Sequence, residues 1–260
     1  MKFSLTIATV LVASIATTAL AATYTYGTDD AGPQHWGDLS PLWARCKTGL
    51  QQSPIDLGAE PSVTFVTQPI QHRYAVLTNA TVGFNGHAVQ VDWTQPADPS
   101  AASWIEVGGK RYTLVQFHFH SPSEHRVDNH FTDGEMHLVH RADDGTLAAI
   151  GLFLELKVAN NPWFSWITAL DNAVDQLPPG SDPTQTKLPL TSVDLPALAT
   201  AAQNFSNRWT YTGSLTTPPC TESVAWSMVK EPISLGLEQF DALVDLEGFN
   251  SRYIQDRPGK

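Results

Sequence analysis

The sequence is poor in charge, in cysteine and in long apolar runs. Charged residues make up 16% of its 260 residues, and there are only two cysteines. With so little charge, long solvated helices are not expected to dominate the fold. The formal net charge is −11 and no basic stripe is visible, which argues against nucleic-acid and anionic-membrane partners. Beyond the first 21 residues no segment could span a bilayer.

The amino terminus has the pattern of a secretory signal peptide. Lys2 supplies a positive charge, residues 5–16 are apolar, and Ala19-Leu20-Ala21 fits a small-residue cleavage site. A transmembrane anchor is the alternative, but this apolar run is short and diluted by Ser and Thr. We therefore expect a signal peptide at 1–21 and one mature domain at 22–260, which is secreted or periplasmic and has no membrane anchor. The whole sequence is 42% hydrophobic, which is ample for one core.

Cys46 and Cys220 form the only cysteine pair available in such an oxidising compartment. A disulfide between them is the economical interpretation, and two separately buried thiols are the alternative. A disulfide leaves no thiolate free to bind a metal.

Short strand-like runs recur between turn signals, which predicts a mainly β single domain with short peripheral helices. Asn85-Gly86 between two alternating apolar segments indicates a hairpin. Helical spacing of apolar residues, after a capping Asn and a Pro, is confined to 161–176. Residues 241–246 are a candidate for a shorter helix.

The stretch "VQFHFHSPSEH" is the first candidate site. On a strand His118 and His120 share one face with Gln116 behind them, while Phe117 and Phe119 point to the other face, where a core would want them. Paired imidazoles on a rigid sheet suit Zn²⁺. Taken alone, a His-X-His pair is more often just a polar strand face.

The segment "GEMHLVHR" offers a third ligand on a second strand. His137 and His140 fall on opposite faces, and Glu135 lies on the face of His137, where it could accept the second imidazole N–H. Gln116 could serve His118 in the same way. We therefore predict His137 as the third ligand and His140 as a buried structural histidine.

Three neutral imidazoles without a cysteine describe an open zinc site, in which the fourth position holds water. That arrangement is typical of catalytic rather than structural zinc. An all-histidine shell leaves Zn²⁺ with its full charge, which favours deprotonating the bound water near neutral pH.

Several motifs, in the right order from Tyr24 to Gln255, resemble the α-class carbonic anhydrases. They are "GPQHW", "QQSPIDL", "NGHAV", "QFHFH", "SEH", "EMHLVH", "YTGSLTTPPCTESVAW" and "KEPIS". The resemblance implies a central, twisted, mostly antiparallel sheet of about ten strands, with zinc at the bottom of a conical cleft. It also implies reversible hydration of carbon dioxide to bicarbonate and a proton by attack of zinc-bound hydroxide.

The resemblance assigns roles to individual residues. It implies that His118, His120 and His137 bind Zn²⁺, the Thr216 hydroxyl contacts the zinc-bound solvent, and Glu124 lies behind that hydroxyl. A carboxylate can only accept, so Thr216 would have to donate to Glu124. His87 matches the proton shuttle, because a histidine accepts and releases protons near neutral pH. An exposed turn histidine is the plain alternative.

Two further sets follow from the resemblance. Residues that order the water chain match Tyr26, Asn85 and Gln90. Residues of the substrate pocket match Val139, Ala149, Leu215, Thr217, Val224 and Trp226. Ala149 departs from the more common valine and would widen the pocket slightly, and Tyr253 replaces a usual proline. Cys46 and Cys220 match the disulfide of secreted members.

The resemblance implies carbon dioxide and bicarbonate as substrates, sulfonamides and anions as inhibitors, and a side esterase activity. It leaves a homodimer open. A non-catalytic binding module on the same fold is a second hypothesis, but relatives of that kind have lost a zinc ligand. Zinc storage is a third, and an excess of exposed histidines would favour it.

Overall fold

A computed structural model describes residues 23–177 and 182–257. The expected signal peptide at 1–21 lies outside these residues. Thirteen strands are present in the described part: β1 Thr64–Val66, β2 Gln71–Arg73, β3 Val76–Leu77, β4 Ala80–Phe84, β5 Val89–Trp93, β6 Trp104–Val107, β7 Lys110–His120, β8 Gly134–Arg141, β9 Leu147–Lys157, β10 Lys187–Leu190, β11 Val193–Asp194, β12 Arg208–Ser214 and β13 Glu222–Gly236.

Helices in the described part are short and peripheral. The α-helices are α1 Trp36–Leu39, α2 Arg45–Thr48, α3 Ser165–Asp175, α4 Leu195–Ala201 and α5 Leu237–Glu247. Single 3₁₀ turns occupy Pro41–Trp43, Pro99–Ala101, Pro162–Phe164, Pro183–Gln185 and Gln203–Phe205. None of the helices in the described ranges is long and apolar enough to cross a membrane.

Eleven of these strands form one sheet in the order β1-β12-β13-β9-β8-β7-β5-β4-β10, with β2 joined through β6 to β7. The pairs are antiparallel except for β13 with β9. The small strands β3 and β11 pair separately. The mainly β, single-domain prediction is confirmed, and the sheet has eleven strands where about ten were expected.

The predicted hairpin is confirmed as β4 and β5, which pair in register from Ala80 opposite Trp93 to Phe84 opposite Val89. The Asn85 N–H donates to the Ala88 carbonyl at 3.0 Å. Gly86 has φ of +94°, a conformation that glycine adopts without steric cost.

The helix predicted at 161–176 is split. Asn161 caps a 3₁₀ turn by accepting from the Trp163 N–H at 3.1 Å, and α3 follows from Ser165.

The helix predicted at 241–246 begins earlier and ends one residue later. The Gln239 side chain accepts from the Gly236 N–H at 3.0 Å and so starts α5 at Leu237. A capping glutamine is a weaker signal than apolar spacing, which explains the short prediction.

The alternation along β7 separates the core from the polar face. Phe117 and Phe119 are fully buried in the main apolar core. Their rings lie 6.1 and 5.6 Å from that of Trp166 on α3. The helix layer therefore covers one face of the sheet, and the histidines of the same strand lie on the other.

The predicted disulfide is confirmed. Cys46 on α2 is bonded to Cys220, in the loop between β12 and β13, across a sequence separation of 174 residues. It ties the segment that precedes the sheet to the loop that also carries Thr216.

Replacing either cysteine by serine should lower the melting temperature under oxidising conditions. Closing so long a loop limits the freedom of the unfolded chain and contributes up to ~5 kcal/mol. Thermal unfolding with and without reductant measures this difference. The wild type should lose stability on reduction, whereas the serine variants should not respond. Equal melting of wild type and variants would contradict the expectation.

His140 is fully buried, and its Nε2 lies 2.8 Å from the hydroxyl of the buried Tyr74. Burial lowers the pKa of His140 to about 3. In the unfolded chain a histidine titrates near 6.5. Between these two values the unfolded state binds a proton that the folded state does not, so acid favours unfolding.

The free energy of unfolding should therefore fall as the pH drops from about 6.5 toward 3. This histidine contributes a slope of up to ~1.4 kcal/mol per pH unit. His140→Phe should make the slope shallower in urea titrations across this range. Tyr74→Phe is the matched control, because it breaks the same hydrogen bond but keeps the imidazole and so the slope. A His140→Phe slope equal to the wild type would refute the assignment.

Candidate metal centre

The pairing of β7 with β8 places three histidines together. His118 lies directly opposite His137 in the register, and His120 follows two residues along the same face. Ring centroids are 5.0 Å apart for His118 and His120, 5.2 Å for His118 and His137, and 4.7 Å for His120 and His137. One nitrogen of each imidazole lies within 4.8 Å of the other two. The structure thus brings together the three predicted ligands.

Each imidazole is held from behind through its other nitrogen. His118 Nδ1 lies 2.8 Å from Gln116 Oε1, and His120 Nδ1 lies 2.9 Å from the Asn250 carbonyl. His137 Nε2 is hydrogen-bonded to Glu135 Oε1. These acceptors make the outer nitrogens the protonated ones, so that Nε2 of His118, Nε2 of His120 and Nδ1 of His137 carry lone pairs facing one another.

The electrostatics of this centre suit a cation. Burial lowers the pKa of His118 and His120; His137 lowers it further, and at His120 the neighbouring Glu124 opposes the shift. These two rings are therefore favoured in the neutral form that metal ligation requires. His120 Nε2 is buried without a hydrogen-bond partner among the described residues. Three converging lone pairs with one of them left buried and unpaired match the ligand set of an open zinc site.

Glu135 joins the centre to a buried chain of polar groups. Its carboxylate bonds His137, and it also contacts Nδ1 and the backbone N–H of His125 at 2.7 and 2.9 Å. His125 Nε2 contacts the Tyr211 hydroxyl, which lies 2.8 Å from Ser53 Oγ. Although burial raises it, contact with His125 and His137 holds the pKa of Glu135 well below its usual range. His125, Glu135 and His137 also cluster, but their facing atoms are bonded to one another.

Glu124 lies beside His120 and His137 with no exposed side-chain surface. Oε1 accepts from the Arg252 N–H at 3.0 Å. Oε2 lies 3.4 Å from His120 Nε2 and 4.0 Å from His137 Nδ1. Thr216 lies four residues before Cys220 on the disulfide-tied loop and is buried, at 4% exposure.

The hydrogen bond expected from Thr216 to Glu124 is not formed among the described residues. Glu124 Oε2 has no hydrogen-bond partner there and is directed toward the imidazole nitrogens instead. The lone pairs of those nitrogens are the groups that a cation would engage.

His87 lies in the turn between β4 and β5 and stacks on the Tyr24 ring, with centroids 3.7 Å apart and planes 11° from parallel. The Asn85 side chain accepts from the His87 N–H at 2.9 Å and donates to Gln90 Oε1 at 3.0 Å. Partial burial lowers the pKa of His87. The ring of Tyr26 lies 5.9 Å from that of Tyr24 and so reaches this turn through Tyr24, whereas Asn85 and Gln90 belong to the hairpin itself.

An apolar wall borders the three imidazoles. Ala149 on β9 pairs with both Val139 on β8 and Trp226 on β13, so the three residues form a row across the sheet. The Trp226 ring lies 4.8 Å from that of His137. Val224 is buried in the same apolar cluster and Leu215 packs against it. The Thr217 carbonyl accepts from the Cys220 N–H at 2.8 Å, which shapes the loop beside the wall.

Three contributors were missed from the sequence. Asn250 and Tyr211 lie far along the chain from the residues they hold, and no local pattern marks them. His125 stood within the quoted histidine-rich stretch, and its place one residue beyond Glu124 was the available signal.

Comparison with known proteins identifies the family. The family model of the eukaryotic-type carbonic anhydrases matches residues 31–256 of this chain. A carbonic anhydrase of Nostoc sp. is 35% identical over 226 residues, covering 86% of this chain and 79% of that protein. The chain belongs to the α-type carbonic anhydrase family.

Solved structures of similar sequence share the fold. The α-carbonic anhydrase of Thermovibrio ammonificans, in complex with sulfanilamide, has 33% identity and a TM-score of 0.73 over 92% of this chain and 97% of its own. The fungal enzyme of Aspergillus oryzae has 29% identity and a TM-score of 0.78 over 91% and 94%.

Glu135→Gln should weaken zinc binding by ~10–100-fold, because the amide removes the charge that orients His137. Competition with a chromophoric chelator measures the affinity. Glu155→Gln, a half-exposed carboxylate on neighbouring β9, is the matched control and should bind zinc like the wild type. Unchanged affinity in Glu135→Gln would show that this carboxylate does not support a ligand.

Proposed function

We propose that this carbonic anhydrase catalyses the zinc-dependent, reversible hydration of carbon dioxide to bicarbonate and a proton. The observation that supports this most directly is the convergence of His118, His120 and His137, each held from behind, beside an apolar wall. Membership of the family supports the same reaction.

The residues present fit Zn²⁺ with an open fourth position. When bound there, the ion supplies the Lewis acidity that makes water a nucleophile near neutral pH, an effect for which this family is the usual example. His118 and His120 would hold it through Nε2 and His137 through Nδ1.

Thr216 and Glu124 are proposed to orient the reacting oxygen. Because a carboxylate accepts but does not donate, this role requires the Thr216 hydroxyl to donate to Glu124, a hydrogen bond that the described residues do not form. The threonine oxygen then keeps a lone pair for a proton of the reacting group. A hydroxide, which has one proton to give, thereby aims its free lone pairs toward carbon.

The apolar wall is proposed to hold carbon dioxide. A neutral, apolar substrate loses little hydration when it lies against Val139, Leu215 and Trp226. Ala149 leaves more room in this wall than the usual valine would. A main-chain N–H near Thr216 and Thr217 would stabilise the developing anion.

His87 is proposed to transfer the product proton to buffer through water ordered by Tyr26, Asn85 and Gln90. An imidazole exchanges protons near neutral pH, and partial burial of His87 favours release of the proton.

We further propose that residues 1–21 direct the chain out of the cytosol. The disulfide is consistent with an oxidising compartment.

The purified mature chain should contain one zinc ion and hydrate carbon dioxide rapidly in stopped-flow measurements. A primary sulfonamide should block the reaction, because it competes for the open position of the metal. Removing zinc by chelation should abolish activity, and adding it back should restore it. A zinc-loaded protein without hydratase activity would favour a non-catalytic binding module.

His87→Ala should lower turnover by roughly tenfold or more in weak buffer, because general acid–base groups contribute at least that much. Added imidazole should restore the rate by carrying the proton in place of the side chain. His72→Ala, a part-buried histidine on β2, is a matched control and should not respond to imidazole. A buffer response equal to the wild type would refute the shuttle.

A further inference from the structure

The end of α5 and the residues after it contact the turn that bears His87. The helix ends at Glu247, and Gly248 has φ of +62°, which turns the chain back toward the sheet. Asn250 follows and is almost fully buried, at 1% exposure. A segment of four residues therefore runs from a peripheral helix to the interior of the site.

Asn250 uses all of its polar groups in this position. Its side-chain Nδ2 donates to the carbonyls of His87 and Phe119 at 3.0 and 3.1 Å, and Oδ1 accepts from the Ser121 N–H at 2.7 Å. Its own carbonyl holds His120 Nδ1. One residue thus links the turn of His87 to the end of the strand that carries two predicted metal ligands.

Glu247 provides a second attachment to the same turn. Oε1 accepts from the Val89 N–H, two residues after His87, at the first residue of β5. Asn85 meanwhile holds the turn from within, through the His87 N–H. The carboxyl-terminal segment therefore holds the backbone that follows the His87 side chain, and Asn85 holds the backbone that precedes it.

We propose that Glu247 and Asn250 are positioning residues that hold the His87 turn at a fixed distance from the metal centre. This proposal rests on the shuttle role given to His87 above. A proton relay through ordered water depends on the placement of both ends, so a small shift of the turn lowers the transfer rate.

The burial of the Glu247 carboxyl indicates which substitution at this position is conservative. Burial raises its pKa well above the usual range, which favours the uncharged carboxyl. Glu247→Gln keeps the shape of the side chain and the acceptor for Val89. Glu247→Met keeps the volume but removes the acceptor, so the two variants differ in the hydrogen bond under test.

The first readout is independent of activity. Stacking on Tyr24 shifts the His87 imidazole proton resonances upfield, and Tyr24→Leu gives their unshifted position. In the zinc-loaded protein, Glu247→Met should move these resonances most of the way to that position, whereas Glu247→Gln should not. Asp245→Ala, which removes an exposed carboxylate from the same helix, controls for general effects on α5.

The second readout is kinetic. In weak buffer Glu247→Met should lower kcat by roughly tenfold, with kcat/KM for carbon dioxide changed by less than about twofold, and imidazole should restore kcat. Glu247→Gln should behave as the wild type. Should Glu247→Met fail to fold, Glu247→Asp shortens the side chain by one methylene and should show smaller changes of the same kind.

Wild-type resonances and buffer response in Glu247→Met and Glu247→Asp would overturn the proposal. Loss of kcat and kcat/KM together, without a change at His87, would also overturn it, because that pattern indicates a general structural effect. A wild type without hydratase activity would instead refute the proposed function, while the resonance comparison would still decide whether the turn is held.

Discussion

The antiparallel pairing of β7 with β8 is the constraint on which the site depends. Its register sets His118 opposite His137, and the two-residue period of the strand adds His120 on the same face. A shift of β7 by one residue would send His118 and His120 into the core, away from His137, and bring Phe117 and Phe119 out. Because the apolar face of β7 packs against α3, the predicted metal ligands of β7 are held on the opposite, polar face.

The residues that hold the imidazoles lie at very different distances from them along the chain. Gln116 and Glu135 are two residues from the imidazoles they hold, whereas Asn250 is 130 residues from His120. The disulfide and β13 bring the Thr216 loop and Trp226 to the same place. Local spacing thus places the predicted ligands on one face, and tertiary contacts orient them.

This difference explains what could be predicted. Strand periodicity placed the histidine faces and the Asn85-Gly86 hairpin, and the compartment argument paired the cysteines. Resemblance to a family supplied Thr216, His87 and the apolar wall, because loop residues and aliphatic residues carry no signal of their own. The role of Asn250 and the full length of α5 were not predicted, because a polar residue that caps a helix or bridges by tertiary contact has no distinctive sequence pattern. The Thr216 contact to Glu124 differs because the carboxylate lies nearest to the imidazole nitrogens.

The dependence of His120 on Asn250 has a consequence for biosynthesis. A ribosome releases all three imidazoles more than a hundred residues before the carbonyl that fixes the second of them. A growing chain can therefore hold histidines that attract metal without the geometry that discriminates among metals. A zinc site at these residues would reach its final geometry only after Asn250 has been synthesised and has docked against His120.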